Sequence, residues 1–201
     1  GLHAGGKSWA LPWFVLKNHH VANLDLDGVP WGLTFCERCT GASAFDPVVD
    51  GKRLRFRAGG VYRGTPLLVD QETGSYWEMF ELRCFRGPLA GKVLERRPVV
   101  QTVYAQWLEE NPGTLVVEGE KEPRDQHGSK YVPGDSSGKR GLGETILDLD
   151  DRLPPATMVL GVLDPSGAAR CYSFSDLDAA GGVVEETLGG TPVALVKRPG
   201  S

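Results

Sequence analysis

Cys36-Glu37-Arg38-Cys39 sets two thiols three positions apart, seventeen residues after His19-His20. The spacing serves three chemistries. As metal ligands, two thiolates from one turn make half of a tetrahedral site, and His19 or His20 would add a third donor. If the two histidines sit on a strand they point to opposite faces, so only one reaches a common pocket. A thioether such as Met79 would complete a soft set that suits copper first, with zinc or iron next. As a redox pair, one thiolate attacks and the other resolves, and an imidazole beside Cys36 would activate it. As a structural pair, the two form a disulfide staple or remain inert thiols. The first expectation is a metal-binding protein built on Cys36, Cys39 and His19, with His20 and Met79 as lesser candidates. A thiol–disulfide protein without metal is the second, and a non-enzymatic structural or interaction domain is the third. Whether the chain is an enzyme stays open.

Other candidates carry less. Gly138-Lys139-Arg140-Gly141-Leu142-Gly143 lacks the Ser or Thr that follows the lysine of a phosphate loop. His127, Lys130 and Tyr131 fall in the same polar stretch, where they would act as a lid or substrate loop. Asp148, Asp150 and Asp151 crowd carboxylates without the Gly and terminal Glu of a calcium loop, so they read as a turn before Pro154-Pro155. Gly41-Ala42-Ser43-Ala44-Phe45 lacks the second Gly of a nucleophile elbow, so hydrolase chemistry has little support. Cys84 and Cys171 read as buried free thiols, or as a bridge in an oxidising compartment.

The elements that would position these groups are mostly strands. Arg53 to Arg57 alternates, which turns Leu54 and Phe56 to a core and the arginines to solvent. Pro66 to Asp70 and Ser75 to Phe80 bracket Gln71-Glu72-Thr73-Gly74 as a hairpin. Val93 to Val100, Leu115 to Glu118 and Met158 to Leu163 also read as extended. Thr102 to Glu110 reads as the one short helix, with Thr102 as its N-cap and Asn111-Pro112-Gly113 as its stop. Residues 118–143 form a long polar loop.

Val21 to Leu33 also repeats. Shifted by 162, Val21, Leu26, Gly28, Pro30 and Leu33 fall on the identical Val183, Leu188, Gly190, Pro192 and Leu195. Both copies read as strand, Gly turn, strand. His19 and His20 fall on Gly181 and Gly182, and Cys36 and Cys39 on Arg198 and Ser201. The scaffold recurs and the reactive side chains do not, which favours a functional role for the first copy's His and Cys.

The expected fold is a single mostly β domain over residues 1–201, sandwich-like or barrel-like, with one short helix; the alternative is α+β. Repeat-like segments span 11–45 and 159–197, and their two copies are expected to pack together. Gly 27 and Pro 14 support many tight turns, hence the β class. A net charge of −4 gives no electrostatic case for nucleic acid or an anionic membrane. No apolar run approaches the roughly 20 residues of a spanning helix, and Gly1 to Lys17 lacks the basic start and apolar block of a leader. The partner class left is a small molecule or a redox partner.

Thr34-Phe35-Cys36-Glu37-Arg38-Cys39-Thr40-Gly41-Ala42-Ser43-Ala44-Phe45-Asp46 resembles the signature of an uncharacterised prokaryotic family, domain of unknown function 3179. That family reads Thr-Tyr-Cys-Pro-x-Cys-Gly-Ser-Ala and then a Phe. Leu11-Pro12, His19 to Asn23, Asp70 to Trp77 and Gly87-Pro88-Leu89-Ala90-Gly91 resemble its further strings, in order. His20 stands where Glu is usual, Leu24 where Asp is usual, Glu37 where Pro is common and Met79 where Gln is frequent. Glu37 departs from a glutaredoxin-like site. The resemblance transfers no activity. It implies an exported or membrane-anchored bacterial or archaeal protein, hence an extracytoplasmic metal or redox role.

Overall fold

Asp27 and Gly28 both take positive φ, 59° and 80°, as a two-residue type I′ hairpin requires. They join β3 (Val21–Leu26) to β4 (Val29–Cys36), in antiparallel register from Val21 opposite Thr34 to Leu26 opposite Val29. β5 (Gly41–Phe45) runs along the other edge of β4, with Thr34 opposite Ser43 and Cys36 opposite Gly41. β12 (Arg96–Arg97) completes a four-stranded sheet in the order β12-β5-β4-β3. This computed structural model describes residues 1–37, 39–119, 146, 150–154 and 157–197. The chain divides into two compact units, Gly1–Asp148 and Leu149–Ser201.

In the first unit the β12-β5-β4-β3 sheet is covered on both faces. One face carries Leu26, Trp31, Leu33, Phe35 and Ala44, packed with Leu2, Ala4 and Leu16. The opposite face carries Val21 and Phe45, packed with Leu54, Phe56, Leu68 and Trp77 among others. Double coverage explains why Trp31 to Cys36 is an unbroken buried run rather than an alternating one. Burial of each large side chain contributes about 1.5–3 kcal/mol.

A second sheet lies over the Phe45 face. Its strands are β8 (Phe56–Tyr62), β9 (Thr65–Asp70), β10 (Tyr76–Glu78) and β11 (Cys84–Arg86), in the order β11-β10-β9-β8. Phe45, Phe56 and Trp77 meet edge to face, with centroids 5.0 and 5.8 Å apart. Asn23 stitches the two sheets: its amide donates to Phe56 O at 2.7 Å and its carbonyl accepts from Phe56 N at 2.7 Å. Buried Asp70 accepts from Trp77 Nε1 at 2.9 Å and from the Thr73 backbone N–H and hydroxyl. The Asp70 to Trp77 string is therefore a satisfied turn network.

The Leu33 face is covered by β1 (Leu2–Ala4), β2 (Lys7–Ala10) and α1 (Trp13–His19), with β13 (Leu115–Val116) parallel to β2. β6 (Val48–Val49) and β7 (Lys52–Arg53) form a small hairpin, and α2 spans Tyr104–Glu110. The second unit is β14 (Val159–Leu163), β15 (Ala169–Ser173), α3 (Phe174–Ala179), β16 (Val183–Leu188) and β17 (Thr191–Val196).

The repeat is structural. β16 pairs with β17 from Val183 opposite Val196 to Leu188 opposite Thr191, the β3–β4 register displaced by 162. Gly189 and Gly190 take the positive φ of Asp27 and Gly28. Phe35 N–H donates to His20 O at 2.9 Å, and Lys197 N–H donates to Gly182 O at 2.8 Å, again 162 residues on. Leu26 and Leu33 are buried in one copy, as Leu188 and Leu195 are in the other. A hairpin and a helix precede the repeated hairpin in both units.

The structure is mostly β, and among the described residues its sheets stay open rather than closing into a barrel. It differs from the sequence reading in its helices, which number three among the described residues. α1 has Pro12 at its N-cap with no side-chain bond, so no capping signal marks it. α3 does carry one, because Ser173 accepts from Asp176 N at 3.0 Å. Helix α2 starts at Tyr104 behind Val103, and Thr102 spends its hydroxyl on Gln106 Oε1 instead of a cap. Leu54 and Phe56 are buried and Arg53, Arg55 and Arg57 exposed, as alternation requires, although the segment is split between β7 and β8. No helix among the described residues is long and apolar enough to cross a membrane.

Candidate functional site

The turn between β4 and β5 holds the two thiols, and they are joined: Cys36 and Cys39 form a disulfide with Cα atoms 5.4 Å apart. Strand alternation turns Cys36 to the face that carries Thr34 and, across the ladder, Gly41 and Ser43. Cys36 is 2 % exposed, whereas Cys39, out of the strand and on the turn, is exposed. The Cys39 backbone N–H donates to Cys36 Sγ at 3.1 Å. Thr40 then takes φ 50° to re-enter β5, and its carbonyl accepts from Gln101 Nε2 at 3.1 Å.

Gly41 is required by close approach. A Cβ there would lie 2.7 Å from the Phe80 ring. Phe80 is thereby seated on the hairpin end, and its carbonyl accepts from Arg96. Ser43 sits one pair further in, opposite Thr34, and is 1 % exposed. Its hydroxyl has no hydrogen-bond partner among the described residues. The Thr34 hydroxyl is committed to His20 O at 3.0 Å.

His19 and His20 do not lie on a strand. His19 is the exposed last residue of α1, and His20 is the left-handed C-cap at φ 57°. His20 acts chiefly through its backbone. Its N–H donates to Leu16 O, and its carbonyl accepts from Phe35 N–H and the Thr34 hydroxyl. This clamps β4 one residue before Cys36. The His20 ring places Nδ1 3.3 Å from Phe35 O. Met79 is fully buried beside Phe80 in the chain. Among the described residues no three His, Cys, Asp or Glu side chains gather in a metal-holding group. The disulfide ties up the two sulfurs that a Cys36, Cys39, His19 set would use.

The remaining candidates separate from this site. Cys84 and Cys171 are unbridged; Cys84 is buried, but Cys171 is exposed rather than in the core. Burial pushes the Cys84 thiol upward, which keeps it protonated and inert. Asp150 is held down at about 2 by hydrogen bonds from Arg152, a local turn pair. His127, Lys130, Tyr131, Asp148 and the Gly138 to Gly143 string lie outside the described residues.

An apolar cleft opens at the same end of the first unit, lined by Trp13, Leu16, Leu33, Phe35, Ala42 and Gln101 among others. Trp13 packs on Phe35 with centroids 5.0 Å apart. Ser43, Phe80 and Gln101 are the residues that sequence reading missed here. Only Ser43 carried a signal, its even spacing from Gly41 and Phe45 on one strand face. No curated protein and no solved structure matches the chain. A family model matches all of residues 1–201, and the chain belongs to the family described as protein of unknown function (DUF3179).

Proposed function

We propose that the protein works by thiol–disulfide exchange at Cys36–Cys39. One observation carries this reading: a disulfide between an exposed residue, Cys39, and a buried one, Cys36, whose sulfur accepts from a backbone N–H. An incoming thiolate reaches Cys39 Sγ. Cys36 Sγ leaves, and the Cys39 N–H already aimed at it stabilises the charge that develops. Cys39 is therefore the entry sulfur and Cys36 the buried one, the reverse of a site with an imidazole-activated Cys36.

A staple is the weaker account of the same bond. Closing so short a loop restricts the unfolded chain by only about 2 kcal/mol on the chain-entropy relation. The ladder from Gly32–Phe45 to Cys36–Gly41 already fixes β4 against β5. A persistent disulfide also fits the extracytoplasmic, oxidising setting that we propose for the protein.

Binding copper, zinc or iron through Cys36 and Cys39 would require the reduced pair. Elemental analysis before and after reduction separates that reading from exchange. The direct test is the Cys36→Ser variant mixed with oxidised glutathione. Exchange predicts a mixed disulfide on Cys39 in the folded protein; an unmodified Cys39 would refute it.

A further inference from the structure

We infer that the pair is an oxidant of dithiols, with Ser43 as a positioning residue that holds the Cys36 thiolate released when the disulfide opens. The inference rests on the exchange reading above and adds its direction and substrate class. It starts from a cost. A hydroxyl buried to 1 % exposure with no partner destabilises the state that contains it. The structure contains the oxidised pair, in which neither sulfur carries a charge.

The ladder register places Cys36 close to that hydroxyl. Thr34 is opposite Ser43 and Cys36 is opposite Gly41, all on one face. Cys36 and Ser43 are thus diagonal neighbours, a separation of roughly 7–8 Å between Cα atoms and less between side chains. Gly41, directly opposite Cys36, contributes no side chain of its own to that face. The Phe80 ring lies where its Cβ would be, so the space is bounded by an aromatic edge. Thr34 has no proton to give, since it donates to His20 O. Among the described residues Ser43 carries a donor without a partner on that face, and the Cys39 N–H already donates to Cys36 Sγ.

The reaction balances as a two-electron exchange. One thiolate of the substrate dithiol attacks Cys39 Sγ, the Cys36–Cys39 bond breaks, and Cys36 leaves with the bonding pair as a thiolate. The second substrate thiolate attacks the substrate sulfur of the mixed disulfide, and Cys39 leaves and takes up a proton that the substrate lost. The substrate is oxidised to a disulfide and the pair is reduced. A donor that stabilises the Cys36 thiolate favours reduction of the pair, and Ser43, without a partner in the oxidised state, favours it doubly.

The test is equilibration of the wild type, Ser43→Ala and Ser43→Thr with glutathione buffers. Ser43→Ala should need roughly tenfold more reducing conditions for half-reduction, about 30 mV more negative, with a higher melting temperature when oxidised because the unpartnered hydroxyl is gone. Ser43→Thr keeps the hydroxyl and should titrate as wild type. A Ser43→Ala protein that titrates as wild type overturns the inference while leaving exchange in place. A wild-type pair that never exchanges removes the exchange reading itself, and this inference with it.

Discussion

A thiolate attacks along the line of the S–S bond, so it needs an open sulfur and a partner sulfur able to carry charge away. Cys39 meets the first need and Cys36 the second. After reduction of the native protein, a bulky alkylating reagent should therefore label Cys39 and exposed Cys171 first, Cys36 slowly, and Cys84 only on unfolding. Peptide mass spectrometry reads this order directly, and equal rates at Cys36 and Cys39 would contradict it. Replacing both Cys36 and Cys39 with Ala should cost about 2 kcal/mol or less in urea unfolding, because the closed loop is short. A much larger loss would return the pair to the role of a staple. The Cys-x-x-Cys spacing was legible from sequence, but it is common to ligand, redox and staple roles. What separates them is that Cys36 ends a doubly covered strand while Cys39 sits on the turn, and this belongs to the sheet rather than to the spacing.

At the scale of elements, the site depends on β4 being gripped from both sides. His20 clamps its end, β5 pairs along its edge, and Asn23 on β3 ties the sheet to β8. Asn23→Ala leaves the Phe56 N–H and C=O without their partner, and should destabilise the protein by about 2–4 kcal/mol. Chemical denaturation measures this, and a loss below the cost of one hydrogen bond would show that the two bonds do not hold the sheets together. The strands were legible where alternation or turn chemistry was strong, as at Leu54 and Phe56 or around Gln71 to Gly74. α1 and α3 span only 7 and 6 residues, too short to display a helical stripe. Without α1 the placement of His19 and His20 also stays open, and the strand case, with the two facing opposite ways, does not apply to the last residue and C-cap of a helix. Ser43 was illegible as a free donor because its isolation arises from what stands across the ladder and over it.

At the scale of the molecule, a hairpin–helix–hairpin unit occurs twice, and the disulfide was placed on one copy only. The repeat was legible because Leu26 and Leu33 recur as Leu188 and Leu195, core positions in both copies. In the second unit, Asp164 binds the two hairpins together. It accepts from Ser166 Oγ at 2.5 Å, the Ser166 and Ala168 backbone N–H groups, and Thr191 Oγ1 at 3.2 Å. These bonds, the Ser166 hydroxyl foremost, hold its carboxyl below the usual 3.8. A depressed folded pKa means that the unfolded chain binds the proton first as pH falls. The stabilisation is then complete above the unfolded value and disappears as pH drops through the folded one. Wild type should lose stability relative to Asp164→Asn as pH falls through and below the ordinary carboxylate range, and parallel unfolding curves across that acid range would contradict the assignment.

The most direct test of exchange at Cys36–Cys39 is to titrate the native protein through glutathione buffers, quench with an alkylating reagent and read each cysteine by mass spectrometry. The account predicts one reversible two-electron transition confined to Cys36 and Cys39, with Cys84 protected throughout. A pair that opens only after the protein has been unfolded would contradict it.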